Sequence, residues 1–137
     1  MLVSAGPAFD TLVMQLDQAL FANDAFYLAF AARDIEHMDA LWARESPVIC
    51  IHPGWPALTS RAKIIESWRR ILGNPEQQPI DVYQAQAHQL ADMVAVICYE
   101  ELNGNVMVAT NLFVCEADRT VLVHHQAGPC GQPPPRT

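Results

Sequence analysis

Histidine, glutamate and asparagine side chains occur within or next to apolar runs that are typical of strands. His52 follows the run 48–51, Glu100 and Asn111 lie within later runs, and His124 lies in the last one. Histidine is a base that titrates near neutral pH, a carboxylate can orient or charge it, and an amide can stabilise negative charge on a carbonyl oxygen. If these four side chains converge, they provide the groups for proton abstraction beside a carbonyl or for activation of a water.

Two adjacent histidines near the end of the chain cannot both face the same way on a regular strand. Alternate residues share a face, so His124 and Gln126 point one way and His125 points the other. We expect His124 to enter the pocket, because Leu122 shares its face. Gln126 could then hold a ring or a ligand by a hydrogen bond.

Large aromatic residues are candidates for the walls of a pocket. Trp55 follows a Pro-Gly turn and belongs to no helical stripe, so it suits a pocket rim and a core equally. Trp42 and Trp68 fall on the apolar stripes of predicted helices, which favours core packing over ligand contact. Tyr27, near the end of the first helix, and Cys50, on the strand that leads to the first histidine, are further candidate ligand contacts.

His52, Glu100 and His124 also form a two-histidine, one-carboxylate set of the kind that binds a metal ion. No pair of ligands at short spacing on one face accompanies them. We therefore predict neither a metal site nor another cofactor. The four cysteines have no CxxC spacing and three lie in apolar runs, so we expect reduced thiols that pack as small hydrophobic groups.

Composition and charge limit the classes of partner. The chain has 137 residues, which suits one domain, and 51% of them are hydrophobic. Its formal net charge is −7 and Lys63 is its single lysine, so it lacks the basic surface that nucleic acid or an anionic membrane requires. No apolar run approaches the roughly 20 residues of a spanning helix, and the N-terminus lacks the positively charged start of a secretory signal. We expect a cytoplasmic protein.

Rigid elements must position these polar candidates, and the first half of the chain is predicted to be mostly helical. Apolar residues recur at helical spacing from Phe9 onward. Asp34 is placed to cap a second helix, and Thr59 or Ser60 is placed to cap a third, which Gly73 would end in the left-handed conformation. Between the last two helices, the apolar run before the first histidine predicts a short strand.

From Ile80 onward the pattern changes to that of strands. Four strands are predicted, and Asn103-Gly104 is a strong signal for a hairpin turn between two of them. Helices followed by an antiparallel meander indicate an α+β fold. Residues 129–137 include three consecutive prolines and are expected to form an extended, flexible tail after a single domain at 1–128.

The order of these elements and five short sequence blocks are together similar to those of a known family. The blocks are Ala31-Ala32-Arg33-Asp34, His52-Pro53-Gly54-Trp55, Glu66-Ser67-Trp68-Arg69, Thr110-Asn111-Leu112-Phe113 and Val123-His124-His125-Gln126. Over nearly its whole length the chain resembles the SnoaL-like branch of the nuclear transport factor 2-like superfamily. The resemblance implies a cystatin-like cone, in which a curved mixed sheet wraps around three helices and leaves a pocket at its open end. It also implies a homodimer formed through the sheet.

The resemblance implies no single reaction, because the superfamily contains isomerases, cyclases, dehydratases and hydrolases as well as binding and assembly modules. The ketosteroid isomerases carry an acid on the early strand, where this chain has Cys50 and His52. The branch often has a third consecutive histidine where this chain has Gln126. The first departure removes the base of the isomerase reaction, and the second exchanges a basic group for a neutral amide.

We therefore expect a protein that binds a small organic molecule in an apolar cavity with a few polar groups at its floor. The alternative is a cofactor-independent isomerase, cyclase, dehydratase or hydrolase in which a pocket histidine is the general base. A tethered oligomerisation domain is a third class, for which the proline-rich tail is weak support.

Overall fold

The computed structural model describes residues 9–136, with side chains from Gln15 onward. The first eight residues of the predicted domain lie outside that range. The elements, in chain order, are α1 (Phe9–Ala31), α2 (Ile35–Leu41), β1 (Ile49–Ile51), α3 (Arg61–Gly73), β2 (Asp81–Leu90), β3 (Met93–Leu102), β4 (Asn105–Glu116) and β5 (Arg119–Pro129). None of the described helices combines the length and the apolarity that crossing a bilayer requires.

The strands form one mixed sheet in the order β1-β5-β4-β3-β2. β2 to β5 pair antiparallel in succession, whereas β1 pairs parallel with β5 and sets Cys50 opposite His125. α1 packs against β2, β3 and β5. The predicted α+β fold with a terminal meander is confirmed, and the parallel pair brings the early strand next to the last one.

Side-chain caps determine where α2 and α3 begin. The Asp34 carboxylate and the Ser60 hydroxyl each accept a hydrogen bond from the backbone N–H three residues further on. Ser60 rather than Thr59 is therefore the cap of α3. Both starts follow from local chemistry that is visible in the sequence.

Backbone φ angles are positive at the hairpin turns and not at the end of α3. Asn103 and Gly104 have φ of 51° and 81°, which suits the tight turn that joins β3 and β4. The β4–β5 turn is similar, with φ of 49° at Ala117 and 62° at Asp118. The predicted left-handed end at Gly73 is wrong, because this residue is still helical and the next one caps the helix in an extended conformation.

One extra residue in β5 changes which histidine faces the helices. Consecutive residues of β4 pair with His124 and with Leu122, so Val123 has no partner and forms a bulge. The alternation is reset beyond the bulge, and His125 is buried whereas His124 is only half-buried. The prediction that His124 faces inward is wrong, because it assumed regular alternation from Leu122.

The core lies between the helices and the inner face of the sheet. Its largest fully buried apolar side chains are Phe26, Met38, Trp42, Ile64, Phe113 and Leu122. Trp42, which follows α2, is paired across a short parallel bridge with Leu122. Trp42 therefore packs in the core, as its position on a helical stripe predicted.

The proline-rich tail is extended but lies against the sheet. The Tyr83 hydroxyl donates to the backbone carbonyl of Pro134 (3.3 Å), and Arg136 forms an ion pair with Glu101 (2.6 Å). The guanidinium of Arg136 also lies over the Tyr83 ring, 4.8 Å from its centroid. β2 and β3 thus offer an aromatic ring and a carboxylate to the tail, whose flexibility stays a prediction from its composition.

A carboxylate holds the loop between α2 and β1. Backbone N–H groups of Arg44, Glu45 and Ser46 donate to the Glu116 carboxylate over 2.9, 3.1 and 2.8 Å. Partial desolvation opposes ionisation, but the three hydrogen bonds prevail and lower the pKa of Glu116 to about 2.

Replacing Glu116 with Gln should lower the free energy of unfolding at pH 7 by about 1 kcal/mol, a modest value because the carboxylate is partly exposed. The folded-state pKa lies below the ordinary value of 4.5, so this contribution is present above pH 4.5 and is lost as the pH falls towards 2. Urea unfolding of both proteins at pH 7 and pH 3 measures it. A difference that stays the same at both pH values would contradict the prediction.

Candidate functional site

A cavity of about 270 Å³ lies between α1, α3, the end of β1 and the inner face of the sheet. The polar side chains of His52, Gln77, Glu100 and His125 line it. Its aromatic wall consists of Phe26, Tyr27, Phe30, Trp55 and Trp68. An apolar concavity with a few polar groups is the usual form of a small-molecule site.

A second hollow, of about 320 Å³ on the outside of α1 and α2, lacks this character. It is lined mainly by alanine and leucine side chains, and its polar residues Asp34 and His37 hydrogen-bond to each other. Converging polar groups therefore distinguish the inner cavity as the candidate site.

Five of the residues selected from the sequence line the cavity: His52, Glu100, Trp55, Trp68 and Tyr27. The His52 ring packs edge-to-face against Trp55 and Trp68, with centroids 4.8 Å apart in both pairs. Trp55 is 39% exposed and stands at the rim, whereas Trp68 is 3% exposed. Trp68 thus belongs both to the core and to the cavity wall.

The other five selected residues do not line the cavity. Cys50 is buried with its sulfur 3.6 Å from Nε2 of His52. Asn111 is buried behind the wall and donates a hydrogen bond to the lining residue Tyr27. Trp42 lies in the core. His124 is half-buried and Gln126 is exposed, because the bulge in β5 turns both away from the helices.

The two-histidine, one-carboxylate set considered as a metal site is not assembled, because His124 faces away from Glu100. Within residues 9–136, no group of three or more histidine, cysteine or acidic side chains has an arrangement that could hold a metal ion.

Four side chains form a hydrogen-bond chain with a single direction. His125 Nδ1 donates to Asn111 Oδ1 (2.6 Å), and Asn111 Nδ2 donates to the Tyr27 hydroxyl (3.2 Å). The Tyr27 hydroxyl in turn donates to Glu100 Oε2 (2.5 Å). Each donation polarises the next group in the same sense, so the chain supports negative charge on Glu100.

The chain depends on two residues that the sequence analysis did not select, Asn23 and His125. Asn111 Nδ2 also donates to Asn23 Oδ1 (2.8 Å), so Asn111 Oδ1 must be the acceptor for His125, whose proton is thereby fixed on Nδ1. The Cys98 thiol adds a donation to the Tyr27 hydroxyl (3.3 Å). Asn23 did carry a signal, since it is a polar residue between two members of an apolar helical stripe. His125 carried none, because nothing in the sequence marks the bulge.

His52 is held in the opposite tautomer. Its Nε2 lies 2.8 Å from the Ser67 hydroxyl, whose own hydrogen is donated to the backbone carbonyl of Ile64 (2.6 Å). A hydroxyl has one hydrogen, so Ser67 accepts here and Nε2 of His52 carries the proton. The unprotonated, basic nitrogens of the two rings are therefore Nδ1 of His52 and Nε2 of His125.

Both cavity imidazoles are neutral at physiological pH. Burial lowers the pKa of His52 to about 4. Burial, together with the neighbouring imidazoles of His52 and His124, lowers the pKa of His125 to about 3. The prediction of a histidine base that titrates near neutral pH is not supported, because the desolvated rings bind a proton too weakly.

Glu100 has the environment of a proton-transfer group. It is 3% exposed, and no lysine or arginine is among the described side chains that line the cavity. Desolvation raises its pKa, a shift that the Tyr27 hydrogen bond opposes. Burial and the adjacent carboxylate also raise the pKa of Tyr27, so its hydroxyl stays protonated and remains a donor. A buried carboxyl with a raised pKa in a cleft is typical of acid–base sites.

Residues 20–129 match the model of the SnoaL-like domain. The chain belongs to the SnoaL-like domain family. This assignment confirms the resemblance seen in the sequence and agrees with a cystatin-like α+β fold. No curated protein matches the chain in sequence.

Solved structures of similar fold include two with appreciable sequence identity. A proposed dehydratase of the nuclear transport factor 2-like family from Streptomyces avermitilis is 28% identical, with a TM-score of 0.78 over 88% of this chain and 99% of that one. A proposed association domain of calcium/calmodulin-dependent protein kinase type II from Thiobacillus denitrificans is 35% identical, with a TM-score of 0.70 over 80% and 92%. A cystatin-like fold protein from Burkholderia xenovorans, 14% identical with a TM-score of 0.71 over 88% and 95%, shares the fold.

Replacing Glu100 with Gln should raise the free energy of unfolding at pH 8. Because the folded-state pKa of Glu100 is above its ordinary value of 4.5, this group favours the folded state below pH 4.5 and loses that contribution as the pH rises through the folded-state pKa. The neutral amide avoids the loss, so the gain should shrink towards pH 4. Urea unfolding across this range measures it.

Glu101→Gln is the matched control, since Glu101 pairs with Arg136 on the other side of the strand. This variant should show no stabilisation at pH 8. If Glu100→Gln were no more stable than the wild-type protein at pH 8, ionised Glu100 would not destabilise the folded state, and the raised pKa would be contradicted.

Proposed function

We propose that the cavity binds a small, largely apolar organic molecule and that Glu100 transfers a proton on it without a cofactor, as in a dehydration or an isomerisation. The environment of Glu100 supports the proposal. This carboxyl is buried in the cavity wall and accepts a hydrogen bond from Tyr27, at the end of the hydrogen-bond chain that begins at His125. Among the described residues, no lysine or arginine lines the wall to neutralise it. A buried carboxyl in a purely structural role is normally paired.

The size of the cavity and its walls favour a ligand built around one or two rings. A volume of about 270 Å³ lies near the lower end of the range for small-molecule sites. Five aromatic side chains provide faces and edges for stacking. Trp55, which is half-exposed at the rim, offers its ring to such a molecule at the mouth of the cavity.

In a dehydration, ionised Glu100 takes a proton from the carbon next to a carbonyl. The electron pair of that C–H bond forms a carbon–carbon double bond as the C–O bond to the β-hydroxyl breaks. Protonated Glu100 then gives the proton to the departing hydroxide, which leaves as water, and the carboxylate is regenerated. In an isomerisation the same carboxyl returns the proton to a different carbon.

Tyr27 and the two histidines have supporting roles in this chemistry. Since the Tyr27 hydroxyl donates to Oε2 of Glu100, Oε1 is the oxygen that exchanges the proton. The lone pairs of His52 and His125 can accept hydrogen bonds from the ligand. Both rings are neutral, so neither competes with Glu100 as an acid. The base is thus a carboxylate, in place of the histidine considered from the sequence.

The proposed dehydratase from Streptomyces avermitilis supports this class of reaction. The structural similarity extends over 99% of that protein's chain. Dehydration and isomerisation share the same first step, removal of a proton next to a carbonyl, so a single assay can detect either.

A cytoplasmic location is part of the proposal. All four cysteines are free thiols, two of them buried, which suits a reducing compartment. Burial raises the pKa of Cys50 to about 12 and that of Cys98 to about 11, so both thiols stay protonated and unreactive.

Glu100→Gln should lower the rate of proton exchange at least about 100-fold, because the amide keeps the shape of the carboxyl but takes no proton. The assay follows deuterium uptake from D₂O into a panel of small ketones and β-hydroxy ketones by NMR. Glu101→Gln should keep the wild-type rate. Equal rates in the wild-type protein and Glu100→Gln would overturn the proposed role of Glu100.

Tyr27→Phe should retain exchange activity but move its acid limb to higher pH. The hydrogen bond from Tyr27 lowers the pKa of Glu100, so its loss lets that pKa rise. The pH dependence of the deuterium-uptake rate measures the shift. An acid limb at unchanged or lower pH would show that Tyr27 does not set the ionisation of Glu100.

The second candidate function is self-association, and the Thiobacillus denitrificans association domain, at 35% identity, favours it. We propose a homodimer formed through the outer face of the sheet. Val108 and Tyr99 are neighbours on that face, opposite the buried Ala109 and Cys98, and both are partly exposed. Self-association and catalysis use different faces of the sheet, so the two candidates are compatible.

Val108→Glu should convert a wild-type dimer to a monomer, because it places a charge at the centre of the apolar contact. Sedimentation velocity of the purified proteins measures the change. Leu28→Glu, which alters a side chain that is 68% exposed on α1, should leave the dimer intact. A wild-type monomer, or a Leu28→Glu monomer, would contradict an interface through the sheet.

A further inference from the structure

Glu100 is a buried carboxyl for which the cavity wall supplies no counter-ion. Its side chain is 3% exposed, and no lysine or arginine is among the described residues of the wall. Tyr27 donates a hydrogen bond to Oε2, which satisfies one oxygen but adds no positive charge. Removing an unpaired charge from water is costly, and an adjacent opposite charge offsets that cost. A ligand with a positive charge would therefore supply what the wall lacks.

The other oxygen of this carboxyl is open to the cavity. Within residues 9–136, Oε1 of Glu100 has no hydrogen-bond partner, yet it is not one of the unpaired side-chain atoms that protein atoms seal from solvent. The indole nitrogens of Trp42 and Trp68 are sealed in this way, so neither can serve a ligand. Because Glu100 lines the cavity, Oε1 is the charged atom that a ligand can reach.

Aromatic rings form adjoining walls of the same cavity. The Phe26 ring stands at 85° to both Tyr27 and Trp68, and the Phe30 ring stands at 89° to Trp68. All four rings line the cavity, and Trp55 adds a fifth at the rim. The face of an aromatic ring carries partial negative charge, which attracts a cation. The walls therefore favour a positively charged ligand that is also apolar in its outer groups.

The neighbouring basic side chains do not oppose a cation. His52 and His125 are neutral, because burial lowers the pKa of the first to about 4 and that of the second to about 3. Arg33 contacts the lining residue Gln77, but its guanidinium donates to three backbone carbonyls and does not line the cavity. The formal net charge of −7 adds a long-range attraction for cations.

We infer that the cavity binds a hydrophobic organic ammonium ion, whose charge pairs with Glu100 and whose apolar groups pack against the aromatic walls. The inference rests on the proposed function in taking this cavity as the site, but it assigns a second class of ligand and requires no turnover. An ammonium ion beside Oε1 blocks the oxygen that exchanges the proton. Such a cation therefore competes with the carbonyl substrate and inhibits the reaction.

The test compares two probes of the same shape on the full chain. Phenyltrimethylammonium carries a permanent positive charge, and tert-butylbenzene has a carbon atom in place of the nitrogen. Titration of the ¹⁵N-labelled protein, followed by NMR, gives an affinity for each probe. Glu100→Gln is the test variant, and Glu101→Gln is the matched control on the other side of the same strand. Each variant removes one negative charge, so both weaken the non-specific attraction of the protein for cations to the same extent.

The ammonium ion should bind the wild-type protein at pH 8 roughly tenfold more tightly than tert-butylbenzene does. Glu101→Gln should keep this preference, and Glu100→Gln should lose it. The preference should also fade towards pH 4, because desolvation raises the pKa of Glu100 and the carboxyl becomes neutral there, whereas the probe has no proton to lose. The ammonium ion should slow deuterium uptake into ketones as a competitive inhibitor.

The inference is overturned if tert-butylbenzene binds as tightly as the ammonium ion, if Glu100→Gln keeps the preference, or if neither probe binds. The wild-type protein tests the ion pair by itself if Glu100→Gln does not fold, since a preference that stays constant between pH 4 and pH 8 would also overturn it. Binding of the ammonium ion without deuterium uptake into any ketone would sustain this inference and refute the proposed proton transfer. Deuterium uptake without binding of the ammonium ion would do the reverse.

Discussion

The side-chain amide of Asn111 is the link on which the architecture of the site depends. It is fully buried, and its oxygen and both of its amide hydrogens are used, by His125 on β5 and by Asn23 and Tyr27 on α1. A buried amide is stable only when its donors and acceptor are satisfied together. Asn111 therefore fixes how α1 lies on the sheet, which histidine tautomer is present and where the Tyr27 hydroxyl points. Because Tyr27 donates to Glu100, Asn111 also determines the hydrogen bonding of Glu100.

Features governed by local chemistry were predictable from the sequence. Asp34 and Ser60 cap helices because their side chains suit that position, and Asn103-Gly104 turns a hairpin because both residues tolerate a positive φ. The order of helices and strands followed from periodicity. The convergence of four side chains was a hypothesis from the sequence, and two of the four, His52 and Glu100, line the same cavity.

Features governed by tertiary register were not predictable. Val123 has no property that marks it as a bulge, yet its insertion exchanges His124 and His125 between the two faces. Trp42 and Trp68 have the same residue type and similar helical context, and only the path of the sheet determines which one borders the cavity. The docking of Arg136 depends on a ring and a carboxylate supplied by strands far away in the chain.

The parallel pairing of β1 with β5 has a consequence for how the molecule is made. His52 is near the start of the chain's strands and His125 is on the last, so the cavity needs a contact between segments separated by most of the domain. Such distant pairings form late in folding, because a long loop must close first. During synthesis on the ribosome, α1 emerges with Asn23 and Tyr27 while their partners on β3, β4 and β5 do not yet exist. The polar groups of the site must then remain in water until the final strand leaves the exit tunnel.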